Sequence, residues 1–313
     1  MEKGNKKGKK RFLIIESILL LLIIISSIIC VLLNNELNKA KKNYLKNKSD
    51  YKLALENLNT KKVELENVTS ELNGYKNIDE TIESIKKEYF GEIKKLEDDI
   101  LSGKSDRKIA YMTFDDGPYN NTYKVLNILD EKDVKATFFT ISMNGEYCYD
   151  NKSVRCFDLY KEYVKRGHTI ANHTYTHAIR YGLYNSADSF INAVDRQEEH
   201  VKNMTGGYKT NIVRFPGGSS QAKNLKEPII NRLKEKGYGW VDWTANDGDG
   251  KALYSTDQAW NNLYSTVNDK IEVILFHDYN SITTQILPDV INYLRENGYE
   301  IYPLFYESNM VNK

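Results

Sequence analysis

Apolar residues are arranged along this chain in three successive patterns. From Phe12 to Leu33 they form a nearly unbroken run, interrupted by Glu16 one turn from its basic end. A helix of that length spans a hydrocarbon core of ~30 Å. In the next stretch Leu37, Tyr44, Tyr51, Leu58, Leu65 and Leu72 recur at every seventh position among mostly polar companions. Past Gly74 the pattern tightens, and Ile78, Ile82, Ile85, Tyr89, Ile93, Leu96 and Ile100 follow in steps of four and three. That spacing predicts an α-helical stalk with coiled-coil character over 34–104, ~100 Å long if continuous, serving as spacer and homodimer seam or standing as a lone solvated helix.

Near Ser102-Gly103 the pattern changes again, to short β-rich runs alternating with amphipathic stretches. Ile109–Phe114, Ala136–Ile141, Thr169–Asn172, Ile212–Phe215, Gly239–Trp243 and Val273–Phe276 read as strands. Stretches near 122–132, 154–166, 187–203, 224–236, 256–268 and 284–297 read as helices. Repeated β-α alternation predicts an α/β domain over 105–313 with a parallel sheet, open or closed into a barrel. In either form chemistry gathers at the carboxyl ends of the strands.

Charge changes the picture at one end only. The 313 residues carry a formal charge of +1, without the basic excess of a nucleic-acid binder. Yet Lys3, Lys6, Lys7, Lys9, Lys10 and Arg11 crowd the start of the chain. A basic tail over 1–11 beside a transmembrane anchor over 12–33 predicts a single pass, with the N-terminus cytoplasmic and the rest extracellular. A cleaved signal peptide is the rival, with Ser26-Ser27 as its weak cleavage site. Cys30 lies in the anchor, leaving Cys148 and Cys156 as the remaining cysteines; in an oxidising compartment their bond would contribute roughly 2.5 kcal/mol.

Polar residues cluster where the strands end. The first strand finishes in Thr113-Phe114-Asp115-Asp116-Gly117-Pro118, two adjacent carboxylates before a turn. After the third comes Asn172-His173-Thr174-Tyr175-Thr176-His177; histidines four apart share one face of a helical turn and can grip one cation. Together with an aspartate these form a ligand set that leaves coordination open for water, as a hydrolytic metal site requires. Arg214-Phe215-Pro216-Gly217-Gly218, Asp242-Trp243 and Leu275-Phe276-His277-Asp278 close three further strands. His168 reads as structural, and His200, on a charged helix, as solvated.

These motifs together resemble those of the polysaccharide deacetylase family, the NodB-homology carbohydrate esterases, over residues ~105–313. The resemblance implies a distorted (β/α) barrel and a divalent metal, zinc foremost with cobalt, manganese or nickel as alternatives, held by Asp116, His173 and His177. It implies Asp115 as general base oriented by Arg214, and His277 as general acid tuned by Asp242. Gly217, Trp243 and Leu275 would line the substrate pocket. Two positions depart from the family pattern: Gly217 stands where an aromatic is usual, and Gly239 where an aspartate commonly begins the fourth motif. The expected activity is removal of N-acetyl groups from an extracellular cell-wall polysaccharide, peptidoglycan N-acetylglucosamine above all. O-deacetylation of xylan or another polymer, and a silent glycan-binding scaffold, are the alternatives.

Overall fold

The computed structural model describes residue 61, residues 76–142 and 157–306, and residue 308. The apolar run 12–33, most of the stalk and both Cys148 and Cys156 lie outside the described residues. Among the described residues no helix is long and apolar enough to cross a membrane. The chain divides into two compact units, 1–84 and 85–313, and the second carries the sheet.

Helix α1 (Lys76–Leu101) leads into β1 (Lys108–Asp115), α2 (Thr122–Glu131), β2 (Thr137–Thr140), α3 (Phe157–Lys165) and β3 (Thr169–Asn172). There follow α4 (Ala187–Thr205), β4 (Ile212–Val213), α5 (Lys226–Glu235), β5 (Gly239–Trp240) and β6 (Ala245–Asn246). The chain ends through α6 (Thr256–Thr266), β7 (Ile271–His277), α7 (Ser281–Glu296) and β8 (Tyr299–Tyr302). The sheet runs β5-β4-β3-β2-β1-β7-β6 with every pairing parallel, and β8 pairs with the first half of β1. It is a curled, open half-barrel. Residues 241–244 cross the gap between its edges, Val241 N donating to Val213 O and Thr244 N to Val273 O.

Alternation along the strands sorts the core into two layers. Ala110, Met112 and Phe114 of β1, with Phe138, Ile170, Ile274 and Phe276, face outward and are covered by the helices. Ile109, Tyr111, Phe139, Ala171, Ile212 and Val273 face inward. The inner layer also takes up Ile93, Leu96 and Ile100 of α1, while Phe90 stacks on Phe305 and Tyr111 Oη donates to buried Glu97. The last turns of the predicted stalk seam are therefore packed against the sheet of this same chain. The globular unit begins before residue 105, because the inner apolar layer needs that helix to exclude water.

The strands start and stop close to the predicted bounds, except that β4 and β5 are two residues each and β6 and β8 were not foreseen.

Candidate active site

The inward alternation that places Ile109 and Tyr111 in the apolar layer carries on to Thr113 and Asp115. In β7 it carries from Ile271 and Val273 to Leu275 and His277. Asp115 and His277 are register partners on neighbouring strands, so their side chains leave the same face. His173 follows β3 and Arg214 follows β4, completing a ring at the carboxyl ends of the strands.

Asp116 turns out of the strand with φ 70°, a left-handed conformation uncommon for a residue with a side chain. Its neighbour Gly117 is required there: an added methyl would collide with the buried carboxylate of Asp278. Asp278 accepts a hydrogen bond from Thr122 Oγ1, turned away from the imidazole beside it in sequence. The turn brings Asp116 Oδ1 to 3.7 Å from His173 Nε2 and 3.8 Å from His177 Nε2. Asp116, His173 and His177 each offer one ligand atom, all within 4.8 Å of one another.

The two histidines do not converge by helical spacing, as their separation of four suggested. The segment after β3 is a loop in which Thr174 (φ 66°) and His177 (φ 50°) both adopt left-handed backbone, and Thr174 Oγ1 accepts from His177 N. Strained backbone concentrated at a ligand loop is stabilised by the surrounding fold and fixes where the side chain points.

The donor set suits a divalent cation. His173 Nδ1 lies 2.8 Å from Arg214 O, and a carbonyl only accepts, so Nδ1 carries the proton and Nε2 presents its lone pair. Burial, with neighbouring His177, pushes the His173 pKa down to about 3, so the ring is neutral near pH 7. Two imidazole nitrogens and one carboxylate oxygen form a zinc-type set.

Asp115 lies behind this triad. Arg214 Nη1 donates to its Oδ1 at 2.8 Å, while Oδ2 lies 3.6 Å from His173 Nε2. Burial raises the Asp115 pKa; the charges of Arg214, His277 and His177 oppose that rise without cancelling it. Arg214 is fully buried, lies 4.1 Å over the Phe139 ring and also donates to Thr113 Oγ1.

Across the cleft His277 Nε2 stands 3.8 Å from Asp116 Oδ2. The sequence placed Asp242 behind this imidazole, and the structure corrects that. The carboxylate bonded to His277 Nδ1 is Asp249, at 2.6 Å, whose other oxygen accepts from the His277 backbone N–H at 2.6 Å. Asp242 instead accepts from Ser219 N and Oγ and braces the loop after β4. The strand expected over Gly239–Trp243 ends at Trp240; the chain then crosses the gap, and the site-facing loop follows β6. Burial works against the protonated form of His277, but the Asp249 hydrogen bond and charge, with Asp116 and Asp115, push its pKa up to about 9.

Leu275, Gly217 and Trp243, expected to line a substrate pocket, lie on β7 and in the segments after β4 and β5. Leu275 shares the inward face of β7 and is nearly buried. Gly217 (φ 75°) and Gly218 (φ 89°) form the turn after Arg214, and an added methyl on Gly218 would come within 3.0 Å of Trp243. His168 is structural, its Nδ1 accepting from Ala136 N at 3.1 Å. His200 is half-buried, its ring against Tyr160 and Tyr175, not free in solvent.

Comparison with known proteins bears on the whole arrangement. Residues 102–239 match the polysaccharide deacetylase family. The chain is 31% identical over 210 residues to a peptidoglycan-N-acetylglucosamine deacetylase of Bacillus cereus, covering 65% of this chain and 72% of that protein. It is 33% identical over 201 residues to the putative polysaccharide deacetylase YheN of Bacillus subtilis, covering 61% of this chain and 65% of that protein. The crystal structure of the catalytic domain of a peptidoglycan N-acetylglucosamine deacetylase from Eubacterium rectale superimposes with a TM-score of 0.60 at 32% identity, covering 66% of this chain and 93% of that one. With fold, motif order and sequence likeness in agreement, the chain belongs to the polysaccharide deacetylase family.

Proposed function

We propose that this protein is a metal-dependent hydrolase that removes N-acetyl groups from an extracellular amino-sugar polysaccharide, with peptidoglycan N-acetylglucosamine as its substrate. One observation carries the reading: the Asp116-His173-His177 cluster lies between an arginine-held carboxylate and an aspartate-held imidazole. Binding a glycan needs no such pair of proton-handling groups.

An acetamide is a poor electrophile with a poor leaving group, so its hydrolysis needs a base for water, charge stabilisation at oxygen and an acid for nitrogen. A divalent cation bound by Asp116, His173 and His177, zinc by the donor set, supplies Lewis acidity toward the acetyl carbonyl and toward water. Asp115, oriented by Arg214, takes the proton from the attacking water. Its burial makes it a stronger base than an exposed aspartate. His277, kept protonated by Asp249, gives its proton to the departing nitrogen. The developing oxyanion needs a donor, a role we assign to the backbone N–H of Gly217, with Trp243 and Leu275 shaping the acetyl pocket.

The choice of peptidoglycan is supported by the names of the Bacillus cereus and Eubacterium rectale relatives. It is also supported by the address we propose: residues 12–33 as a membrane anchor, with the catalytic unit outside the cell. The test is acetate release by the full chain, in detergent, from peptidoglycan, chitooligosaccharides and acetylxylan, with and without chelator. Chelator-sensitive release from peptidoglycan is expected. Release from acetylxylan alone would move the reading to an O-deacetylase, and no release by the metal-loaded protein would end it.

A further inference from the structure

Asp249 does not hold His277 by itself. Its carboxylate is one end of a buried chain of short contacts that leads away from the cleft to a second carboxyl, Asp247. Thr283 Oγ1 lies 2.8 Å from Asp249 Oδ2 and 2.7 Å from Asp247 Oδ2. Asp249 N donates to Asp247 Oδ1 at 3.1 Å. A threonine hydroxyl has one proton, so it can donate in only one of its two short contacts. The other places two lone-pair-bearing oxygens at 2.7 or 2.8 Å, which repels unless a further proton lies between them. Asp249 already accepts from the ring N–H and the backbone N–H of His277. The missing proton therefore belongs on Asp247.

We infer that Asp247 is held as a neutral carboxylic acid that donates to Thr283, whose hydroxyl donates to Asp249, making Asp247 a positioning residue for the His277–Asp249 pair. Burial, and then the charge of Asp249, push the Asp247 pKa up to about 8. The groups that face it are Asp249 from its own loop, Asn262 from α6, which donates to its backbone carbonyl, and Thr283 from α7; none is cationic. His277 of β7 lies on the far side of Asp249, and Asp115 and Asp116 of β1 lie beyond His277. The device leaves one negative charge on the two aspartates instead of two. Donation from Thr283 pins Asp249 Oδ2, so that Oδ1 stays directed at the imidazole. The feature follows from Asn246-Asp247-Gly248-Asp249-Gly250, a turn in which Gly250 lets the loop lie against His277: an added methyl would sit 3.1 Å from Cε1.

The test compares the pH dependence of folding for the wild type and Asp247→Asn, whose amide donates to Thr283 without a titratable proton. A carboxyl whose folded pKa is about 8 and whose unfolded value is 3.8 takes up a proton on folding between those limits. Wild-type stability should therefore fall relative to the variant as pH rises from about 4 to about 8, by roughly tenfold in the folding constant per pH unit, and the difference should level off above. A difference that stays flat between those limits would overturn the inference. Asp247→Ser offers an uncharged donor and serves the same comparison should the asparagine variant not fold.

A kinetic arm rests on the deacetylase reading. Asp247→Ala should lower kcat by on the order of tenfold or more with KM little changed, because it loosens the geometry of the acid, and asparagine should restore most of the loss. Failure of asparagine to rescue would count against the inference. Absence of acetate release by the wild type would instead remove the deacetylase reading and leave the stability arm to decide.

Discussion

Replacing Asp249 with asparagine removes the negative charge behind His277. The amide oxygen can still accept from Nδ1–H, while the amide NH2 takes the place of the oxygen that accepts from the His277 backbone N–H, so the charge and that one hydrogen bond are lost together. In the wild type, burial works to lower the His277 pKa from 6.5, yet it stands at about 9, with the Asp249 contact the largest of the raising influences. Without that charge it should return to about 6.5 or below, a loss of roughly 2.5 units or about 3 kcal/mol in favour of the neutral ring. At pH 7.5 the protonated fraction then drops from nearly all to roughly a tenth or less, and kcat/KM drops with it. The assay is the pH profile of acetate release on chitooligosaccharide. Its alkaline limb, near 9 for the wild type, should move to about 6.5 or below. The linked stability has the same sign: a histidine raised in the folded state contributes stability that is complete below pH ~6.5 and lost as pH rises through about 9, and the variant should lack that decline. An alkaline limb that stays near 9 in Asp249→Asn would refute the assignment of His277 as an acid tuned by this carboxylate.

Four further outcomes are expected. Asp115→Asn should lower kcat by about 10²-fold or more while the protein retains its metal, as measured by elemental analysis; His177→Ala should instead lower the metal content itself. A chain beginning at residue 105 loses the burial of Ile93, Leu96 and Ile100, roughly 1.5–3 kcal/mol each. That is comparable with the net stability of a domain, so denaturant titration should find it unfolded or nearly so while a chain beginning at 76 folds. Gly117→Ala drives a methyl into the Asp278 carboxylate and should reduce both thermal stability and metal affinity, read by melting and competitive chelation.

The strand ends were legible because each joins a hydrophobic run to an out-of-place polar residue: Asp115 after Phe114, Asn172-His173 after Ile170-Ala171, His277 after Phe276. That Asp115 and His277 share a face follows from the register of β1 against β7, which alternation within one strand does not give. The stretch from Gly239 to Asp249 carries a misleading signal. The strand β6 is only Ala245-Asn246, with no apolar run to announce it, so the Asp-Trp pair is the only strand end the sequence displays there. The aspartate that matters lies one short strand later. The spacing of the histidine pair marks a shared site, but left-handed turns at Thr174 and His177, not a helical face, bring the rings together. The seam of α1 was ambiguous in principle. A stripe of isoleucine and leucine at steps of three and four suits a partner helix or a sheet equally well, and only the inward layer of the sheet decides between them.

An open half-barrel would be a poor frame for a site that needs fixed geometry, and Arg214 explains how this one is held. Its guanidinium donates from Nη1 to Thr113 and Asp115 of β1, and from Nη2 to Asp242 O in the segment that crosses the gap. One side chain thus ties the end of β4, the centre of the sheet and the crossing strap together while directing the proposed base. It does so on a dry floor, because Phe139, the ring beneath it, belongs to the apolar layer that α1 covers from below. In that low-dielectric setting the Arg214–Asp115 pair is costly to break, since either partner alone would be a buried uncompensated charge, worth about 3–5 kcal/mol. The stability measured for Asp115→Asn is therefore part of reading its kinetics: a loss of activity with the fold and the metal retained isolates the base, whereas Arg214→Lys, which keeps the charge but loses the planar fork, should lower kcat and also loosen the crossing segment.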